Sequence, residues 1–519
     1  LAGESDAAFG SALQQQDSSS AAAPSVEHAT RLYREGQLQA ALAEYSALVS
    51  ADAKGAAAYT GLARTYIKLG KIDDADIAAT KALELAPDLT DAHVARGEVY
   101  FRQGKIGEAE QEFAAMIRKG TVNARAYLGE AQVSTASSFY KQAKHLINMA
   151  YGLDPTDPEI RRERAAAFTR RELIKDLEEN LPADAGGDSA EQSGRRQLLS
   201  FLKKDPDKLL QPCRMVTNAT SMQTDLWKLI GAPKQIKGYG LRVHINDAPA
   251  MLVVETARPG MVIDRKIADK ANVRRLRDIS ISGFGDQGPT PGYLGIASSL
   301  KIANMEFKDC LVQVLEKNSA LGQDGVIGTD VFSHFLVDLD FANESFKLSE
   351  LPPIPDQPLP DAALKLDTSD APPPRDRFIA PQMKSFTPIF RFGDQLVVST
   401  KINDASPCLF LVATGSTRSS ISTSLAKGFT KVSQAPSRRE QGFNGDVKNV
   451  FLADDVTLTF GTVKQRNLDM TAVDFSRMSN NFGTEISGIL GLSSLQKMEI
   501  KIDYRDGLIE FNFDENRWR

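Results

Sequence analysis

Two short stretches of this 519-residue chain carry residue types that could do acid–base chemistry. In one, Glu255 is followed by Thr256, Ala257, Arg258 and Pro259. In the other, Ala413 is followed by Thr414, Gly415, Ser416, Thr417 and Arg418. Each closes an apolar run and turns at small or hydroxyl-bearing residues. A carboxylate held at such a turn can take a proton from water and return it to a reacting group. Glu255 is such a carboxylate, whereas the matching place in the second stretch holds the methyl group of Ala413. The hydroxyls of 416–422 invite a serine-nucleophile reading, but the chain has no histidine beyond His334 and no G-x-S-x-G turn. The glycines of 283–288 look like a phosphate loop, yet no GK[ST] follows, so a hairpin tip is expected there.

The elements that must position these stretches repeat. Ile245-Asn246-Asp247 recurs as Ile402-Asn403-Asp404, each followed by Ala and an apolar strand that ends at residue 255 or 413. Gly283-Phe284-Gly285-Asp286 recurs as Gly442-Phe443-Asn444-Gly445-Asp446, and Gly325-Val326-Ile327-Gly328 as Gly488-Ile489-Leu490-Gly491. Three landmarks in the same order indicate an internal duplication. β-rich runs are expected at 241–245, 251–256, 299–303, 311–315 and 335–341, separated by turn residues. Nine prolines between Pro352 and Pro381, out of 24 in the chain, mark an extended connector between the copies.

The first third has a different period. Ala41, Ala75, Ala109 and Ala143 stand 34 residues apart, as do Ala29, Ala63, Gly97 and Ala131. Gly36, Gly70 and Gly104 keep the same step before Ser138 breaks it. Small residues let paired helices approach, and glycine frees the turn between them. A 34-residue period with small residues at fixed places is the tetratricopeptide signature. About four repeats over 25–158 are expected, acting as a spacer or as a groove that captures a protein partner. Arginine-rich helices and a linker should follow over 159–236.

Composition bounds the rest. Net charge is −5, with 62 basic and 67 acidic residues, so no excess of basic charge points to nucleic acid. No apolar run nears the ~18 residues that span a bilayer. Residues 1–24, rich in Ala, Ser and Gln, read as a flexible leader, and with them comes an expectation of a periplasmic or secreted protein. Cys213, Cys310 and Cys408 are far apart and make no metal-ligand spacing; buried free thiols are expected, with one disulfide at most. No cofactor or metal is implied.

Phe410–Ser422 resembles the active-site loop of aspartic peptidases, apolar-apolar-Asp-Thr-Gly-Ser/Ala-Thr/Ser, with Ala413 at the place of the acid. Each copy resembles a retropepsin-like lobe, over 237–351 and 385–519, and two such lobes in one chain resemble the pepsin arrangement. The resemblance implies an α plus all-β multidomain chain: a tetratricopeptide helical solenoid followed by two retropepsin-like β lobes joined through 352–384. It implies an aspartic endopeptidase in which two facing carboxylates activate one water, Thr414 and Gly415 brace the loop tips, and Glu255 is the candidate partner acid. Ser416, Gly442, Phe443, Asn444 and Gly445 should meet substrate, with Gly283 and Phe284 opposite. The intact surroundings of Ala413 suggest that it stands in place of an aspartate, which makes this an inactivated form. Arg258, close to Glu255 in sequence, is expected to lower its pKa. Two other readings stand beside this one: a peptide-binding pseudopeptidase, and a non-proteolytic acid–base enzyme on the same fold. Were the first lobe only a scaffold, activity would need a homodimer pairing two second lobes.

Overall fold

A computed structural model describes residues 24–181, 190–204, 213–231, 235–283, 285, 288–316, 323–354, 377–393, 395–435, 440–442, 445–447 and 449–514. The proposed leader, apart from Pro24, and most of the proline-rich connector lie outside the described residues. The chain divides into two compact units, Leu1–Pro87 and Asp88–Arg519.

In the first unit, helices Val26–Arg34, Leu38–Ala51, Ala56–Lys68 and Ile72–Leu85 form two hairpins. Gly36 and Gly70 take left-handed φ of 77° and 72°, which lets each helix end and reverse within a few residues. Ala29, Ala41, Ala63 and Ala75 are wholly buried, as expected of positions where helices touch. The ring of Tyr45 fills the space that a side chain at Gly61 would take.

The second unit begins with the same construction. Helices Thr90–Arg102, Ile106–Arg118, Ala124–Ala136 and Tyr140–Leu153 make two more hairpins, and Phe113 packs where side chains at Gly97 and Gly129 would stand. Arg125 pairs with Glu98 at 2.7 Å, Asp157 at 3.0 Å and Glu159 at 3.0 Å, tying together helices about one repeat apart. Ser138, which breaks the glycine series, still adopts φ 67°. Helices Pro158–Ala166, Arg170–Asn180 and Ala190–Lys204 follow.

β-structure then starts earlier than the alternation in sequence suggests. Strands Arg214–Met215, Ser221–Asp225 and Trp227–Gly231 precede residue 237, inside the stretch expected to hold helices and linker. They are short and rich in exposed polar residues, so their period of two is faint. The cysteine expectation is also corrected: Cys213 and Cys310 form a disulfide, and Cys408 alone is free. Strand Arg214–Met215 runs antiparallel beside Met305–Leu315, with Arg214 opposite Lys308, and this pairing brings together cysteines 97 residues apart.

The two lobes share one plan. In the first, Gln235–Ile245 and Ala248–Glu255 form a hairpin through Asn246 and Asp247, both at positive φ. In the second, Gln395–Ile402 and Cys408–Val412 are paired antiparallel, with Asn403 and Asp404 at positive φ in their connection. The asparagines do matching work: Ser299 N donates to Asn246 Oδ1 at 2.9 Å, and Thr457 N to Asn403 Oδ1 at 2.8 Å. Strands Phe335–Asp340 and Met498–Asp503 pair antiparallel, one from each lobe, at the centre of a six-stranded sheet that joins the lobes.

The repeats of the second unit are bound to the second lobe by their turns. Glu485 N donates to Arg102 O at 2.9 Å and Thr484 Oγ1 to Phe101 O at 2.6 Å. Arg377 donates to Ser137 O at 2.6 Å and to Asp506 O at 2.7 Å. Beneath these bonds, Val94, Ile106 and Phe113 of the helices share an apolar cluster with Leu409, Phe475 and Ile486. The end of the proline-rich connector is packed as well: Ala380 and Met383 are buried against Leu508.

Candidate active site

Strand Ala248–Glu255 delivers Glu255, and strand Cys408–Val412 delivers Ala413. Each strand is held in parallel by its glycine-flanked partner: Ile327 lies opposite Val254, and Leu490 opposite Val412. Those partners, Gly325–Gly328 and Gly488–Leu490, also run antiparallel to Met261–Asp264 and Ser420–Ser422. Each glycine-flanked strand is therefore threaded between the two strands that its loop joins. Gly491 cannot carry a side chain, because its Cβ would collide with the backbone of Arg418.

The two tips meet. Thr256 Oγ1 donates to Val412 O at 2.6 Å and accepts from Thr414 N at 3.2 Å. Thr414 Oγ1 donates to Val254 O at 2.9 Å and accepts from Thr256 N at 3.1 Å. Both threonines are buried, and the four bonds interchange under an approximate twofold. One chain thus brings its own two tips together.

Within 255–260 and 413–419, Glu255 is the sole acid. Its carboxylate accepts Ala257 N at 2.9 Å and takes further backbone donation from Gly415, in the opposite loop. Burial raises its pKa above the ordinary glutamate value; the backbone donors and the Arg258 charge pull the other way without prevailing. Arg258 does pull this pKa down, as expected, but desolvation outweighs it and the net shift is upward. Arg258, its own pKa lowered by burial, donates to Ser282 O at 2.7 Å, at the foot of the first glycine-rich hairpin.

Ala413 is 4% exposed, within the apolar cluster that also takes in Val447 and Ala257 at its edge. Ser416 turns its hydroxyl onto Arg418 O at 3.0 Å, bracing its own loop. The neighbouring hydroxyls brace the turn behind: Ser419 Oγ accepts Gly491 N at 3.0 Å and lies 2.7 Å from Ser494 Oγ. Gly442 and Gly445 face each other in a two-stranded hairpin, Glu440–Gly442 with Gly445–Val447. Gly283 sits between the paired strands Arg274–Ile281 and Thr290–Ile302. Phe284, Phe443 and Asn444 lie outside the described residues.

Three residues absent from the sequence reading also shape the site. Gln395 Nε2 donates to Ala257 O at 2.9 Å, linking a second-lobe hairpin to the first-lobe loop. Asp330 accepts Gly260 N with both carboxylate oxygens at 3.0 Å. Arg477 reaches from the second lobe to Gly285 O at 3.5 Å. Asp330, two residues after Gly328, had a signal in its place behind the loop; the other two had none.

The family described as aspartyl protease matches residues 241–331 and 398–494, and the tetratricopeptide repeat family matches 26–90 and 60–124. Among curated proteins, DnaJ homolog subfamily C member 3 of Mus musculus is 28% identical over 171 residues, covering 29% of this chain and 34% of the relative. A tetratricopeptide repeat and J domain-containing co-chaperone of Cryptococcus neoformans is 26% identical, covering 28% of this chain and 30% of the relative. The chain spans about a third of the length of these curated relatives. Among solved structures, an aspartic proteinase from Irpex lacteus covers 57% of this chain and 98% of its own, at 13% identity and a TM-score of 0.35. A tetratricopeptide repeat protein from Parabacteroides merdae covers 35% of this chain and 72% of its own, at 22% identity and a TM-score of 0.27. The chain carries tetratricopeptide repeats at its N-terminus, followed by two segments of the aspartyl protease family.

Proposed function

We propose that the chain is built as an aspartic endopeptidase whose hydrolytic pair lacks one carboxylate, at Ala413, so that it holds an extended peptide between its lobes without cutting it. The observation that carries this reading is the reciprocal bonding of Thr256 and Thr414, which sets residues 255 and 413 at the two tips of one junction. Peptide hydrolysis at such a junction needs two groups. One ionised carboxylate takes a proton from water as the water oxygen attacks the scissile carbonyl carbon. One protonated carboxyl donates to the carbonyl oxygen as it becomes tetrahedral. Collapse of that intermediate breaks the C–N bond, and the leaving nitrogen takes up a proton. Glu255, its pKa raised by burial, suits the donor role. The base is missing where Ala413 stands.

A purely binding role, as a pseudopeptidase, is favoured by one observation: the Ala413 methyl is packed in an apolar cluster. The Cys213–Cys310 disulfide supports an oxidising, periplasmic or secreted setting. The helical repeats, similar to those of co-chaperones, support a protein partner outside the cleft.

The test is Ala413→Asp, assayed on a casein-like mixture from pH 3 to pH 7. The reading expects an inert parent and a variant whose cleavage is blocked by a statine-type peptide. A folded but silent variant would leave the binding role alone standing.

A further inference from the structure

We infer that Glu255 serves the loop tips of both lobes, and that Ala413 is the steric counterpart that lets it do so. Two features of the junction carry this. First, Glu255 Oε1 accepts the N–H two residues ahead in its own loop, Ala257, at 2.9 Å. The same relation in the second loop joins position 413 to the N–H of Gly415, and Ala413 has no acceptor to offer. Glu255 reaches over from across the junction, its carboxylate set against Gly415. Second, a Cβ on Gly415 would collide with Glu255 Oε2, so the carboxylate lies directly over the opposite loop. Gly415 is absent from the glycines with left-handed φ, which makes close approach the reason for glycine there.

The extra methylene of glutamate over aspartate is what provides this reach. An aspartate at 255 would keep the Ala257 bond and fall short of Gly415. A carboxylate at 413 would compete with Glu255 for one N–H, and the pair would then share a proton, as close carboxylates do. Positions 255 and 413 are thus one site divided between lobes: a long acid faces a residue without an acceptor. Glu255 is a positioning residue here, acting through the backbone of both loops.

The experiment uses the full chain without peptide, so it is independent of whether any variant hydrolyses anything. Amide hydrogen exchange at Gly415 and Ala257 is compared between the parent and Glu255→Asp. The inference expects Gly415 exchange to rise about tenfold or more, the equivalent of about 1.4 kcal/mol, while Ala257 and strand Cys408–Val412 keep their protection. Glu255→Gln, which keeps the length and one acceptor oxygen, should protect Gly415 better than Glu255→Asp does. As a second arm, Gly415→Ala should displace the carboxylate and shift its titration, followed by carbon-13 NMR of the glutamate carboxyl. Unchanged Gly415 exchange in Glu255→Asp would overturn the inference, as would an unmoved Glu255 titration in folded Gly415→Ala. A silent Ala413→Asp in the protease assay would count against the hydrolytic reading and leave this one intact.

Discussion

The first lobe keeps its acid but has lost the glycine beside it, and the second keeps the glycine but has no acid. Glu255-Thr256-Ala257 and Ala413-Thr414-Gly415 preserve in common only the central threonine, and that residue makes the four bonds between the lobes. The contrast separates two demands. Holding two lobes together requires a hydroxyl that donates to one backbone carbonyl and accepts from one N–H, and both copies retain it. Chemistry requires acids, and here the copies diverge. Differences away from the tips follow the same line: the first lobe is stapled by Cys213–Cys310, whereas Cys408 of the second is a half-buried thiol whose pKa is pushed up to about 12 by burial.

The largest expected effect breaks the asymmetry at the tips. In an Ala413→Asp background, adding Glu255→Gln should lower peptide cleavage by about 10²–10⁴-fold, the usual scale for losing one acid–base group. Equal rates with and without Glu255 would show that the first lobe contributes only walls. Next comes the staple. Cys213→Ser opens a connection spanning 97 residues and should cost about 3–5 kcal/mol in urea unfolding. Cys408→Ser should cost far less, and its thiol should resist alkylation at pH 8.

The shared threonines should behave alike. Thr256→Val and Thr414→Val each leave a buried N–H and a buried carbonyl without their partner, a loss of about 2–3 kcal/mol. A large cost at one and none at the other would mean that the twofold is only apparent.

The smallest effect compares the turns of the joining sheet. Asn343 N donates to Asp340 Oδ1 and Asp506 N to Asp503 Oδ1, both at 3.0 Å. Asp503 is fully buried; burial first, then the charge of Asp506, raises its pKa from the ordinary 3.8 to about 6. The folded state therefore holds this proton more tightly than the unfolded chain, and stability falls as pH rises from about 4 to about 6. Asp503→Asn should recover about 1–2 kcal/mol at pH 8 and nothing at pH 3. Asp340→Asn, at the matching turn of the first lobe, serves as the reference. Thermal unfolding across pH reads both.

Much of this architecture is legible in the sequence because local rules carry it. The 34-residue step marks helix contacts, and the Asn-Asp pairs mark hairpins. The duplicated Gly-x-x-Gly marks strands that must approach another backbone closely. What escapes the sequence depends on tertiary burial. Arg258 sits three residues from Glu255, yet burial decides the direction in which that acid shifts. Ser138 breaks a glycine series but keeps the left-handed turn, next to Gly507 of the second lobe. The partnership of Cys213 with Cys310 follows from one short strand pairing that composition hardly signals. The docking of repeat turns on the second lobe rests on one backbone bond at Arg102, side-chain bonds to the carbonyls of Phe101 and Ser137, and an apolar cluster beneath them, none of which periodicity encodes.

The most direct test of a peptide cleft at the threonine junction is a crystal structure of the chain soaked with a statine-type peptide. The account predicts an extended peptide lying between the lobes, with the statine hydroxyl in hydrogen-bond reach of Glu255. An unoccupied junction, with the peptide bound elsewhere or not at all, would contradict it.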